Sequence, residues 1–157
     1  MILINEELLN HVTSEAQQSK RKRKNFNFHK QPSDLLQRML NAFEPYTYVR
    51  PHKHENPDKR EVFLVLIGKA AIVEFDDQGN IRSVNVLNHN IGVFGIEIPP
   101  GVYHTIISLE IGTVLYEIKD GPYIVENDKN FAEWAPVEGA AEAMTYLEEL
   151  TKKLNLH

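Results

Sequence analysis

The sequence predicts an all-β barrel or sandwich with a helix at each end. From residue 46 to 119, short apolar segments recur between turn residues, at the spacing of roughly eight to twelve positions that marks such folds. Helical periodicity is clear only at the two termini. No internal repeat and no composition break divides the chain, so one domain over 1–157 is expected: 1–31 a helix and basic segment, 35–120 the barrel, 121–157 a tail and helix.

Each element has its own justification. In NEELLNHVTSEAQQ (5–18), Asn5 is placed to cap a helix, and Glu6 and Glu7 suit its positive N-terminus. Leu8, Leu9, Val12 and Ala16 form its apolar stripe. The basic run KRKRK (20–24) follows. DLLQRMLNAFE (34–44) has Leu35, Leu36, Met39, Leu40 and Phe43 at helical spacing, so periodicity alone favours a helix there. VFLVLI (62–67) is a continuous apolar strand closed by Gly68. AAIVEF (70–75) and IRSVNVL (81–87) flank DDQGN, a hairpin turn. VFGIEI (93–98) stops at Pro99-Pro100-Gly101, and YHTIISL (103–109) and TVLYEI (113–118) complete the strands. The segment 121–136 is expected to be irregular and to pack through Tyr123, Phe131 and Trp134. VEGAAEAMTYLEELTKKLNL (137–156) reads as a helix with Ala143, Leu147, Leu150 and Leu154 on one face.

Composition narrows the chemistry. The 157 residues carry a formal net charge of −5 and no cysteine. Disulfides, thiolate catalysis and cysteine zinc sites are therefore excluded, and any metal must be held by His, Asp or Glu. The acidic balance argues against a nucleic-acid partner. No apolar run approaches the ~20 residues of a membrane span, and MILINEELLN lacks the features of a signal peptide, so a cytoplasmic protein is expected.

The stretch PHKHENPDKRE (51–61) holds the most specific signal. Alternation along a strand points His52 and His54 the same way. If ENPDKR turns the chain back antiparallel, Glu61 opens the neighbouring strand, on the face that carries Phe63, Val65 and Ile67. PPGVYH (99–104) delivers His104 after a tight turn. Three imidazoles and one carboxylate can then meet around one divalent ion, and Fe, Mn, Ni, Co, Cu and Zn all accept such ligands.

These residues resemble the cupin superfamily. The first cupin motif, H-x-H, a gap, E, six residues, G, is matched by His52, His54, Glu61 and Gly68. The core of the second, P-x-G-x-x-H, is matched by Pro99, Gly101 and His104. The gap before Glu61 is longer than usual, and Ser108 stands where the second motif often has Asn. QRMLNAFEPYTYVRPHKH, EVFLVLIGK, GIEIPPGVYHT, GTVLYEIKDGPY and DKNFAEWAP, spread over 37–136, resemble the WbuC-type cupin-fold metalloproteins. The resemblance implies a small jelly-roll barrel with a bound divalent metal and makes 37–44 a strand. It also implies a setting in surface-polysaccharide metabolism, without a settled reaction.

Further candidates are weaker. Tyr48 and Arg50 share strand parity with the two histidines and so reach the same pocket, unless Pro51 breaks that parity. Tyr116 alternates with Val114 and Ile118, either lining the barrel or buried as a core tyrosine. KRKRK reads as a solvated, mobile run or as an anion clamp over the barrel mouth, with His29 a pocket residue beside it. His11, His89, His157, Glu97, Glu55 and Asp58 read as surface positions. Two functions fit. One is a metalloenzyme acting on a small polar metabolite such as a sugar or sugar nucleotide, by isomerisation, epimerisation or Fe(II)-dependent oxygenation. The other is a non-catalytic module that binds or senses a small, possibly anionic ligand. An open polar cavity containing Arg50 and part of the basic run would favour the enzyme; a dry, aromatic one would favour the module. Exposed sheet edges predict a homodimer.

Overall fold

The computed structural model describes residues 1–126 and 128–156. His157 lies outside the described residues. Helix α1 (Glu6–Gln18) leads into strands β1 (Arg23–Asn27), β2 (Leu36–Phe43), β3 (His52–Lys53), β4 (Glu61–Ile67), β5 (Ala70–Phe75), β6 (Ile81–Leu87), β7 (Gly95–Ile98), β8 (Tyr103–Ser108), β9 (Thr113–Asp120) and β10 (Asn130–Phe131). Helix α2 (Glu142–Lys153) follows. Two five-stranded antiparallel sheets face each other, in the orders β1-β2-β9-β4-β7 and β10-β3-β8-β5-β6. This is an all-β sandwich with terminal helices. Among the described residues no helix is long and apolar enough to cross a membrane.

The inner faces of the two sheets build the central core, with Phe43, Phe63, Val65, Ile72, Ile106 and Leu115 buried in it. Each helix covers an outer face. α1, capped by Asn5 through the Leu8 amide, sets Leu9, Val12 and Ala16 against Leu40, Ala42 and Val114 of the first sheet. α2 sets Ala143, Leu147 and Leu150 against Ala71, Val73 and Ile107 of the second. The helix starts at Glu142 rather than near Val137.

This layering explains the helical spacing of residues 34–44. β2 is buried on both faces, its Leu40 and Ala42 under α1 and its Met39, Asn41 and Phe43 toward the interior. A strand covered on both sides loses the simple alternation that would betray it. The strand expected at 93–98 begins only at Gly95. Before it lie a 3-10 turn, His89–Ile91, and a lone bridge between Asn88 and Val93. A register shift after Val65 turns Ile67 outward, so it does not share the buried face of Phe63 and Val65.

Two turns are set by local chemistry. In DDQGN the Asp76 carboxylate accepts the amides of Gln78 and Asn80 at 2.9 and 2.8 Å. Gly68 ends β4 at φ +77°, where an added Cβ would lie 2.9 Å from the Thr113 Cα.

Candidate metal centre

Four buried residues converge. His52 lies opposite His104 in the β3–β8 ladder, and His54 follows at the end of β3. Glu61 does not come from the strand beside them, as the antiparallel reading of ENPDKR expects. That loop crosses between the sheets, and Glu61 opens β4 of the facing sheet, paired with Ile98 and Lys119. The site is thus clamped between the two layers. His52, His54 and Glu61 are each 3% exposed and His104 is 1% exposed, with one ligand atom from each lying within 4.8 Å of the others.

Hydrogen bonds fix the three rings. Nδ1 of His52 faces the Arg50 carbonyl at 2.9 Å, Nδ1 of His104 the Val102 carbonyl at 2.9 Å, and Nδ1 of His54 the Asp128 carbonyl at 2.5 Å. A carbonyl only accepts, so each Nδ1 carries the proton and each Nε2 is left to offer a lone pair. Nε2 of His104 and of His54 lie 2.9 and 3.4 Å from the Glu61 carboxylate. His54 Nε2 is buried without a hydrogen-bond partner. An unsatisfied buried ring nitrogen is costly in a purely structural cluster, whereas a divalent ion would use it. The donor set therefore fits a metal.

The electrostatics point the same way. Burial, aided by Lys129 and His104, lowers His52 well below the usual histidine range, so its ring stays neutral. Burial alone would raise Glu61. The His104 and His54 rings beside it outweigh burial and hold the carboxylate well below its ordinary value. A neutral imidazole and an ionised carboxylate are the forms that bind metal.

His52 and Glu61 open onto a cavity of about 600 Å³. Arg50 and His29 reach its wall, and so do Arg21 and Arg23. Arg50 donates to the Ala132 carbonyl at 2.7 Å and lies over the Phe131 ring. His29 uses Nδ1 against the Arg38 backbone. The two tyrosines proposed with them lie elsewhere. Tyr48 packs on Tyr146 of α2 and donates to the Pro136 carbonyl, because residues 47–51 form no strand and parity is not carried across them. Tyr116 lies outside the sandwich against Phe28, near α1, since the interior face of β9 is that of Leu115, Glu117 and Lys119.

The basic run is not a mobile chain. Arg23 opens β1, and Arg21 and Arg23 pair with Glu138 at 2.6 and 2.7 Å. Arg23 also donates to the Tyr48 carbonyl at 2.8 Å. His11 and Glu97 are exposed, as expected. His89 is exposed too, but its Nε2 reaches the Val65 carbonyl at 2.6 Å.

Several cavity residues escaped sequence reasoning. Glu117 accepts a hydrogen bond from Asn41 and is pushed up to about 8 by burial and by the Glu61 charge. Asp128, 2% exposed, takes Lys59 at 3.0 Å on one oxygen and Lys119 at 2.8 Å on the other. Lys59 also donates to the Pro122 carbonyl, so this buried cluster holds Pro122 and Asp128 in place. The tail docks through Asp128, Ala132, Trp134 and Ala135. Tyr123 and Phe131, expected to be packing residues, are 39% and 47% exposed and border the cavity, Phe131 against Arg50 and His52. Lys129 is also exposed and lines the same wall.

The protein has the fold of the cupins and holds the residues for a three-histidine, one-glutamate metal centre. The chain belongs to the family described as Domain of unknown function (DUF6016), whose model matches residues 4–87. Comparison with curated proteins gives no match. Among solved structures, the capsular polysaccharide assembling protein CapF from Staphylococcus aureus is 24% identical with a TM-score of 0.57. The match covers 68% of this chain and 29% of CapF. A variant of oxalate decarboxylase from Bacillus subtilis is 17% identical with a TM-score of 0.53, over 86% of this chain and 33% of the enzyme. Protein SO0799 from Shewanella oneidensis is 9% identical with a TM-score of 0.55, over 82% and 83% of the two chains. This chain thus spans about a third or less of CapF and of oxalate decarboxylase. At these identities the likeness is one of fold.

Proposed function

We propose that the protein is a metal-dependent enzyme acting on a small polar metabolite, a sugar or sugar nucleotide, with one divalent ion held by His52, His54, Glu61 and His104. The observation that carries this reading is the open polar cavity, which meets the cluster through His52 and Glu61 and has Arg50, Arg21 and Arg23 on its wall. A dry, aromatic interior would have favoured a module that only binds.

The chain's own groups divide the work. The carbonyls of Arg50, Val102 and Asp128 orient the three rings. Glu117 and Lys119, buried on the cavity wall, are the groups placed to hold and move a proton beside the cluster. A bound first-row divalent ion would supply Lewis acidity toward a carbonyl or hydroxyl oxygen, and Fe, Mn, Ni, Co or Zn suits the ligands. The WbuC-type assignment and the surface-polysaccharide setting rest on the sequence phrases over 37–136. CapF, which shares the fold, is itself described as a capsular polysaccharide assembling protein.

Proton NMR of metal-loaded protein incubated with nucleotide sugars and free hexoses tests the reading. At least one compound should change in a metal-dependent way, and both chelation and Glu117→Gln should abolish the change. Binding with no chemical change under any of the five metals would contradict the enzyme and leave a metal-dependent binding or sensing module.

A further inference from the structure

We infer that the cavity takes an anion, a small molecule bearing a carboxylate or a phosphate, and that Lys129 and Arg50 receive its charged group beside the metal centre. The inference rests on the proposed function only in placing a ligand in this cavity; it adds the ligand's charge and the side chains that read it.

Charge is unevenly distributed in this protein. The whole chain carries −5, yet the cavity wall holds five Lys or Arg side chains against four Asp or Glu. Every acid on the wall is already engaged. Glu138 takes Arg21 and Arg23, Asp128 takes Lys59 and Lys119, Glu117 accepts from Asn41, and Glu61 contacts His104. A divalent ion at the cluster would raise the positive balance further.

Two cations on this wall are left over. Among the described residues neither Lys129 nor Arg50 has an acidic partner. Arg50 is held by the Ala132 carbonyl at 2.7 Å and by the Phe131 ring, with its guanidinium carbon 5.3 Å from the ring centroid. Its Nε is buried and has no hydrogen-bond partner. Lys129 follows the anchored Asp128 directly, so its backbone is fixed while its side chain stays accessible at the cavity. Lys129 and Arg50 thus keep N–H donors at the cavity that no carboxylate takes up. An anion in the cavity pairs with both, and charge-assisted hydrogen bonds are the strong ones. Neutral sugars offer no such pairing.

Matched pairs of probes isolate the charge: succinate against succinamide for the carboxylate, and glucose 6-phosphate against glucose for the phosphate. Calorimetric titration of the metal-loaded full chain should show at least one anion binding about tenfold or more tighter than its neutral twin, the scale of one charge-assisted hydrogen bond. That preference should weaken as salt is added. Lys129→Gln should remove most of the preference without lowering metal content, and Lys129→Arg should keep it. Equal binding of both members of each pair would overturn the inference. So would no binding of either anion at millimolar concentration, or an undiminished preference in Lys129→Gln. An anion bound without turnover of any compound sinks the enzyme reading and leaves this one. Turnover of a neutral sugar with no anion preference does the reverse.

Discussion

His104→Ala should yield a folded protein that has lost most of its affinity for divalent metal. His104 is 1% exposed and stands on β8 between His52 of β3 and Glu74 of β5. Alanine keeps the strand backbone but deletes one of four donors and the 2.9 Å contact to Glu61. Losing a group that merely orients a ligand typically weakens a metal site about 10- to 100-fold, so losing the ligand should cost at least about 100-fold. Truncating the buried ring should also cost stability, within the roughly 0.5–3 kcal/mol of most point mutations. Phe63, Val65, Ile72 and Leu115 are untouched, so the sandwich should remain. His89→Ala is the control, since His89 is exposed and outside the cluster, and it should bind metal as the wild type does. Competition with a chromogenic chelator reads both variants. Wild-type affinity and stoichiometry in His104→Ala would contradict the site.

Phe63→Ala should produce the largest loss of stability. Phe63 is 1% exposed, two residues beyond Glu61 on the inner face of β4, and packs in the core between the sheets. Truncating a buried phenylalanine costs about 3–5 kcal/mol, a large share of the roughly 5–15 kcal/mol that stabilises a domain. The melting temperature should fall by roughly 10 °C. The adjacent Leu64 points outward at 40% exposure, so Leu64→Ala should cost far less. Thermal denaturation of metal-free protein compares them without a contribution from ligand binding. A Phe63→Ala loss no greater than that of Leu64→Ala would contradict the two-sheet core.

The candidate ligands were legible because their pattern is local. Alternation pairs His52 with His54, a carboxylate opens an apolar strand, and a Pro-Gly turn precedes His104. What joins them is not local. Nothing in ENPDKR tells a hairpin from a crossover, so the sheet that carries Glu61 emerged only with the fold. Burial on both faces disguised β2 as a helix. On β9, Glu117 and Lys119 alternate with apolar residues, the pattern of a strand with one face in water. Here the charged face looks into a cavity and the apolar face lies under α1. Asp128 and Lys129 sit in a polar tail without periodicity. Their positions depend on Lys59 and Lys119, which are distant in sequence and gave no signal of burial.

Anomalous diffraction from crystals of protein purified without chelators is the most direct measurement of the central claim. The account predicts one strong peak enclosed by Nε2 of His52, His54 and His104 and the carboxylate of Glu61, at the absorption edge of a first-row metal. A protein that carries metal by elemental analysis but shows its peak elsewhere, with these four side chains bonded only to one another, would contradict it.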